Sequence, residues 1–183
     1  DAAIDEIADM ARESVVHAVG ETGLDYFRTG EELRGPQQHS FRRHIDIANE
    51  LCKTLVIHDR DSHDDVLRVL ETQGAPERVV FHCFSGDADM ARYCTERGWF
   101  LSFAGPVTFK ANESLREALD VTPDHLLLVQ PDAPYLPPVP HRGKPNASSL
   151  MPPTVRPLAE RPGLAEAPPL ALLFHNPQTA FGE

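Results

Sequence analysis

Hydrophobic positions follow two alternating patterns along the chain. Val15–Gly20, Thr54–His58, Arg78–His82, Trp99–Phe103 and Leu126–Gln130 are short, nearly continuous apolar runs rich in branched residues. Runs of this kind belong to strands of a parallel sheet covered on both faces. Between them the period changes to that of a helix. Within Gln37–Lys53, Phe41, Ile45, Ala48 and Cys52 recur at four-, three- and four-residue steps and predict one buried stripe. Asp61 or Ser62 can cap a helix carrying Val66, Leu67 and Leu70 and stopping at Gly74. Asp87–Arg97 places Met90 and Cys94 on one side, and Asn112 opens a short helix with Leu115 and Leu119 inward. Strand–helix alternation with short loops predicts right-handed βα units, in either an open doubly wound sheet or a (β/α) barrel. In both, ligands gather beyond the carboxyl ends of the strands.

The last quarter of the chain breaks this rhythm. Of 17 prolines, 13 lie from Pro131 to Pro177, so most of this region is predicted as loop. A short helix is expected at Thr154–Glu160 and a final apolar segment at Leu170–Phe174. The expected organisation is a barrel-type domain over 1–160 followed by a proline-rich segment over 161–183.

Composition narrows the function classes. The 183 residues are 41% hydrophobic and 25% charged, enough to bury a core. No apolar run approaches the roughly 20 residues of a membrane span, and the acidic Asp1–Ala11 does not resemble a signal peptide. Cys52, Cys83 and Cys94 make an odd set without CxxC spacing, so a cytoplasmic location is expected rather than a disulfide framework or thiolate zinc site. A net charge of −11 works against non-specific coating of nucleic acid. It leaves room for a nucleic-acid enzyme, because a bound divalent cation reverses the field locally.

The predicted strand ends then carry the chemistry. In order they present Glu21, His58, His82 and, just past the fifth, Asp132. Two imidazoles and two carboxylates suit borderline divalent metals such as zinc or manganese better than calcium. Glu21 has two oxygens and can bridge two ions. A metal-bound water has its pKa brought toward ~7, and Asp132 is placed to orient or deprotonate it, which makes hydrolysis the expected reaction class. Each of these residues alone also suits a capping or core role. Cys83 and the histidines 17, 39, 44, 63, 125, 141 and 175 are read as packing or surface residues. Arg60, Arg142 and Lys144 are cations able to clamp phosphate oxygens, and Phe84 or Tyr135 can stack on a base.

The strings Gly20-Glu21-Thr22-Gly23-Leu24-Asp25-Tyr26, Ile57-His58, His82-Cys83-Phe84-Ser85-Gly86 and Asp132-Ala133-Pro134-Tyr135-Leu136 together resemble the TatD family of metal-dependent deoxyribonucleases. Arg142-Gly143-Lys144-Pro145-Asn146 and Thr154-Val155-Arg156 extend the resemblance to about Glu160. It implies a (β/α) TIM-type barrel, one or two divalent ions (zinc, manganese or magnesium) and hydrolysis of DNA or a small phosphodiester. It also implies that Glu21 bridges the metals, that His58 and His82 complete one site, and that Asp132 serves the other beside the attacking water. The departures are an absent His-x-His strand, Gln130-Pro131-Asp132 where the family has Glu-Thr-Asp, and 183 residues against about 250 in a complete barrel. They imply an incomplete barrel without its first two strands and impaired activity, with three readings open: a partner chain covers the exposed sheet edges, the barrel closes differently, or the sequence is incomplete. Two further readings stay open: a catalytically silent barrel remnant acting as a binding or assembly module, and hydrolysis of an ester or lactone.

Overall fold

A computed structural model describes residues 2–161 and 169–182. They form two compact units, the first comprising residues 1–82 with 179–183 and the second residues 83–178. Residues 162–168 and 183 of the predicted proline-rich segment lie outside the described residues.

The first unit runs α1 (Ala2–Ala11), β1 (Ala18–Asp25), α2 (Arg34–Glu50), β2 (Thr54–Arg60), α3 (His63–Gln73) and β3 (Val79–Phe81). β2 pairs in parallel with β1 on one side and β3 on the other. Leu55 and Ile57 of β2 and Val79 of β3 are fully buried, as are Phe41, Ile45 and Ala48 of α2 and Val66, Val69 and Leu70 of α3. The α3 stripe therefore uses Val69 in place of the expected Leu67, which stays half-buried. Ser62 precedes α3 but its side chain does not cap it; its hydroxyl lies 2.8 Å from both the Leu24 carbonyl and an Asp59 oxygen instead. Cys52 falls beyond the end of α2 at φ 52 and is exposed, so it leaves the stripe the periodicity assigned it.

β1 departs most from expectation. It starts at Ala18 and continues to Asp25, so Gly20 is not its end. Its register against β2 passes from Val19↔Leu55 to Thr22↔Ile57, which sets one more residue on β1 than on β2. This is a β-bulge, a device that bends a strand and re-aims its side chains. Gly23 is what lets β2 lie so close: at φ 143, a Cβ there would fall 1.9 Å from the His58 carbonyl oxygen. Gly20 meets Val56 in the same way, at 2.7 Å from its carbonyl oxygen.

The second unit contains α4 (Ala88–Thr95), β4 (Phe100–Phe103), α5 (Glu113–Val121), β5 (Leu127–Val129), α6 (Met151–Glu160) and most of α7 (Pro169–Phe181). β4 and β5 are parallel. Asp87 caps α4 by accepting from the Met90 amide at 2.9 Å. Phe84 is buried against Phe103, with ring centroids 5.8 Å apart, so it is a core residue and not a base-stacking one. Residues 131–147 of the proline-rich region are loop as expected, the helix expected at Thr154–Glu160 is present as α6, and α7 spans the apolar segment expected at Leu170–Phe174. Proline sits in the first turn of α6, where no amide donor is needed, and α6 starts at Met151 rather than Thr154.

Candidate active site

The site is assembled on β1, β2 and the residue after β3. The bulge puts Gly20 and Glu21 together on the exposed side of β1; alternation then resumes, with Thr22 and Leu24 buried and Gly23 and Asp25 facing outward. Glu21 and Asp25 therefore share a side. On β2, His58 and Arg60 face outward and flank the buried Asp59.

His58 lies between the two carboxylates. Its Nδ1 is 2.8 Å from Glu21 Oε1 and its Nε2 is 3.0 Å from Asp25 Oδ2. His82 follows β3, its own amide donating to the Ile57 carbonyl, and brings its Nε2 to 3.7 Å from the same Glu21 oxygen. Glu21 thus faces Nδ1 of one imidazole and Nε2 of another. The hydrogen bond to Glu21 raises the pKa of His58 above its ordinary value; burial opposes this, and Asp25 reinforces it. Burial alone would push the Asp25 carboxyl up, but the Arg28 amide, His58 and Arg60 outweigh it and hold the carboxyl below the usual range. A pocket of about 480 Å³ opens beside these residues, lined also by Gln37, Ser40 and His44 of α2.

Asp25 is the member of this cluster that strand-end reasoning missed. It belongs to one of the recognised strings, and its signal is parity: two alternations beyond Glu21, it lands on the same side of β1. Its second oxygen accepts from the Arg28 amide at 2.9 Å, and its own amide donates to Gln37 at 2.8 Å. Both ends of the residue are therefore fixed.

Each of the other expected residues has its own surroundings. Arg60 lies with its guanidinium carbon 3.9 Å from the Phe27 ring centroid. In the second unit, Arg142 sits similarly over Phe109 at 4.2 Å, Lys144 is exposed, and Tyr135 is 67% exposed. Asp132 is half-buried after β5, at φ 51, with its carbonyl accepting from the Tyr135 amide at 2.9 Å. Buried Asn146 organises that loop, its side-chain amide donating to the carbonyls of Pro131 and Tyr135 and its backbone amide to that of Pro134. His63 pairs with Asp59 at 2.6 Å, in keeping with a structural role.

Among the described residues, no three His, Cys, Asp or Glu side chains are arranged to hold an ion as they stand. The donor chemistry nevertheless fits one. A carboxylate facing two imidazoles is a nitrogen–oxygen set for a borderline divalent ion, and His58 presents its other nitrogen to a carboxylate as metal-bound histidines do.

The family model described as "TatD related DNase" matches residues 1–182. An uncharacterized metal-dependent hydrolase TatD of Mycobacterium tuberculosis is 43% identical across the whole chain, and the chain spans 70% of it. The uncharacterized metal-dependent hydrolase YcfH of Escherichia coli is 42% identical over 81% of the chain, which covers 56% of that protein. Among solved structures, the E. coli TatD homologue YJJV aligns over the full chain and 71% of its own length, with a TM-score of 0.88 and 26% identity. A TatD-family hydrolase of Entamoeba histolytica shares the fold at a TM-score of 0.80 and 18% identity, over 97% of this chain and 68% of its own. These likenesses bear out the α/β fold of the TIM-barrel type. By sequence and by fold, the chain belongs to the TatD-related DNase family.

Proposed function

We propose that this chain carries a divalent-metal-dependent phosphodiesterase that cleaves DNA. The observation that supports it best is the double contact of Glu21 Oε1 with His58 Nδ1 and His82 Nε2. These three residues would hold the ion, and the relatives' names as metal-dependent hydrolases favour the same chemistry. When bound, the ion supplies a water acidic enough to be hydroxide near neutral pH and a positive charge for phosphate oxygens. Metal binding would need His58 Nδ1 without a proton, and Asp25, as acceptor, would keep an N–H at Nε2 directed away from the ligating side. On the resemblance alone, Asp132 is assigned the task of orienting the attacking water. Arg60 and Arg142 are assigned to phosphate oxygens as charge-assisted donors.

The test is to measure manganese and zinc stoichiometry together with release of nucleotides from DNA ends, in the wild type, Glu21→Ala and His82→Ala. Stoichiometric metal binding and turnover in the wild type, lost together in both variants, support the proposal. Equal turnover in all three, or no metal bound by the wild type, refutes it. One observation favours the silent-module reading. Each ring nitrogen of His58 faces a carboxylate, an arrangement that hydrogen bonds alone can hold together. Under that reading the fold is indifferent to EDTA and no metal concentration restores hydrolysis.

A further inference from the structure

Beyond Asp25 the chain continues as Tyr26-Phe27-Arg28, and the Tyr26 amide donates to the Arg60 carbonyl at 2.9 Å, tying this turn to the end of β2. The two aromatic residues have different fates. Tyr26 is committed: its hydroxyl donates to Asp65 at 2.6 Å and accepts from Gln38 at 3.0 Å, and Arg34 lies over its ring. Phe27 is 62% exposed, and Arg60 stacks on its ring. A phenyl ring left this open gains little from burial, yet a cation holds it in place. Arg60 lies one alternation beyond His58 on the same side of β2, about 7 Å along a strand. Its charge also reaches Asp25, the partner of His58. The open ring is therefore held by a residue one alternation from the imidazole that would bind metal.

We propose that Phe27, backed by Arg60, is a stacking platform for a nucleobase of the strand whose phosphate is cleaved at the Glu21–His58–His82 cluster. The inference rests on the phosphodiesterase reading and refines it, because the preferred substrate becomes a base-bearing strand rather than a bare phosphodiester. Aromatic stacking accepts any base, so the platform confers a preference for nucleic acid without sequence selectivity. An acidic protein has particular use for such an uncharged foothold, since its overall field opposes the backbone.

The experiment compares the wild type, Phe27→Ala and Phe27→Trp on a single-stranded oligodeoxynucleotide and on the same strand with abasic terminal residues. Binding is read by fluorescence anisotropy without added metal, and KM and kcat are read with manganese. Phe27→Ala should weaken binding and raise KM about tenfold on the base-bearing strand, leave kcat nearly unchanged, and have no effect on the abasic strand. Phe27→Trp should retain wild-type values, which also shows that the position tolerates substitution. Equal losses on both strands, or no loss on either, overturn the platform while leaving the phosphodiesterase reading intact. A wild type that binds manganese yet cleaves neither strand overturns both.

Discussion

Replacing Asp25 with Asn tests whether His58 is held as a ligand. The change preserves shape and removes a charge, and the surrounding bonds limit how the new side chain can settle. One Asp25 oxygen accepts from the Arg28 amide at 2.9 Å, while the other faces His58 Nε2 at 3.0 Å. An asparagine that keeps its oxygen on the Arg28 amide must turn its NH₂ toward His58. Nε2 then becomes an acceptor, and the neutral ring carries its proton on Nδ1, the nitrogen facing Glu21, where an ion would bind. The opposite rotamer keeps the His58 bond but sets the NH₂ against the Arg28 amide. The first outcome puts the ring proton on the ligating nitrogen, the second loses the Arg28 hydrogen bond, and both lose the carboxylate's charge. Substituting a residue that orients a metal-bound histidine typically costs 10–100-fold in metal affinity, which is about 1.4–2.7 kcal/mol. Competition with a chromogenic chelator at neutral pH measures that loss for manganese or zinc. Nitrogen-15 spectra of the imidazole report the tautomer independently. An affinity within twofold of wild type, with Nε2 still protonated in a folded variant, refutes the reasoning.

The same contacts set further outcomes. The His58 pKa is raised from 6.5, so its carboxylate contacts stabilise the metal-free fold fully below that pH and are lost as pH rises through the raised value. Asp25 is lowered from 3.8, so its contribution is present above 3.8 and disappears as pH falls through the lowered value. Proton NMR should place the His58 midpoint above 6.5, and Glu21→Gln should move it downward; an unmoved midpoint would remove Glu21 as the cause. Asn146→Ala leaves the Pro131 and Tyr135 carbonyls without their donor and should cost about 1–3 kcal/mol, read by urea unfolding. Gly23→Ala sets a methyl against the His58 carbonyl and should destabilise by more than about 1 kcal/mol while weakening metal binding; tolerance would contradict the close approach of β1 and β2.

The strands buried on both faces were legible because burial leaves a continuous apolar run, as at Val79–Phe81 and Leu127–Val129. Glu21, His58 and His82 were legible because polar groups interrupt such runs only where they face a ligand, a partner or solvent. The extent of β1 was hidden, since its two glycines look like a turn when read locally. Only the approach of the β2 backbone shows that they are extended residues required for pairing. Asp25 was hidden with them, because its side of the strand depends on a bulge that no local pattern announces. The helix expected at Thr154–Glu160 was legible as well, and only its start at Met151 was hidden, because the prolines of its first turn need no amide donor there.

The extra residue in β1 also constrains how this stretch can change in length. Val19 and Leu24 are both buried although five positions separate them, an odd interval that strict alternation forbids. Losing Gly20 would restore strict alternation with Leu24 still buried and Glu21 still outward, whereas losing Thr22 or Gly23 would force either Leu24 to face solvent or Glu21 to turn inward, so apolar packing and acid placement would compete for a single phase. Substitutions here can be graded in their effect, but a one-residue change in length after Glu21 cannot satisfy both. The spacing from Glu21 to Leu24 is therefore as binding on this protein as the identity of the glutamate itself.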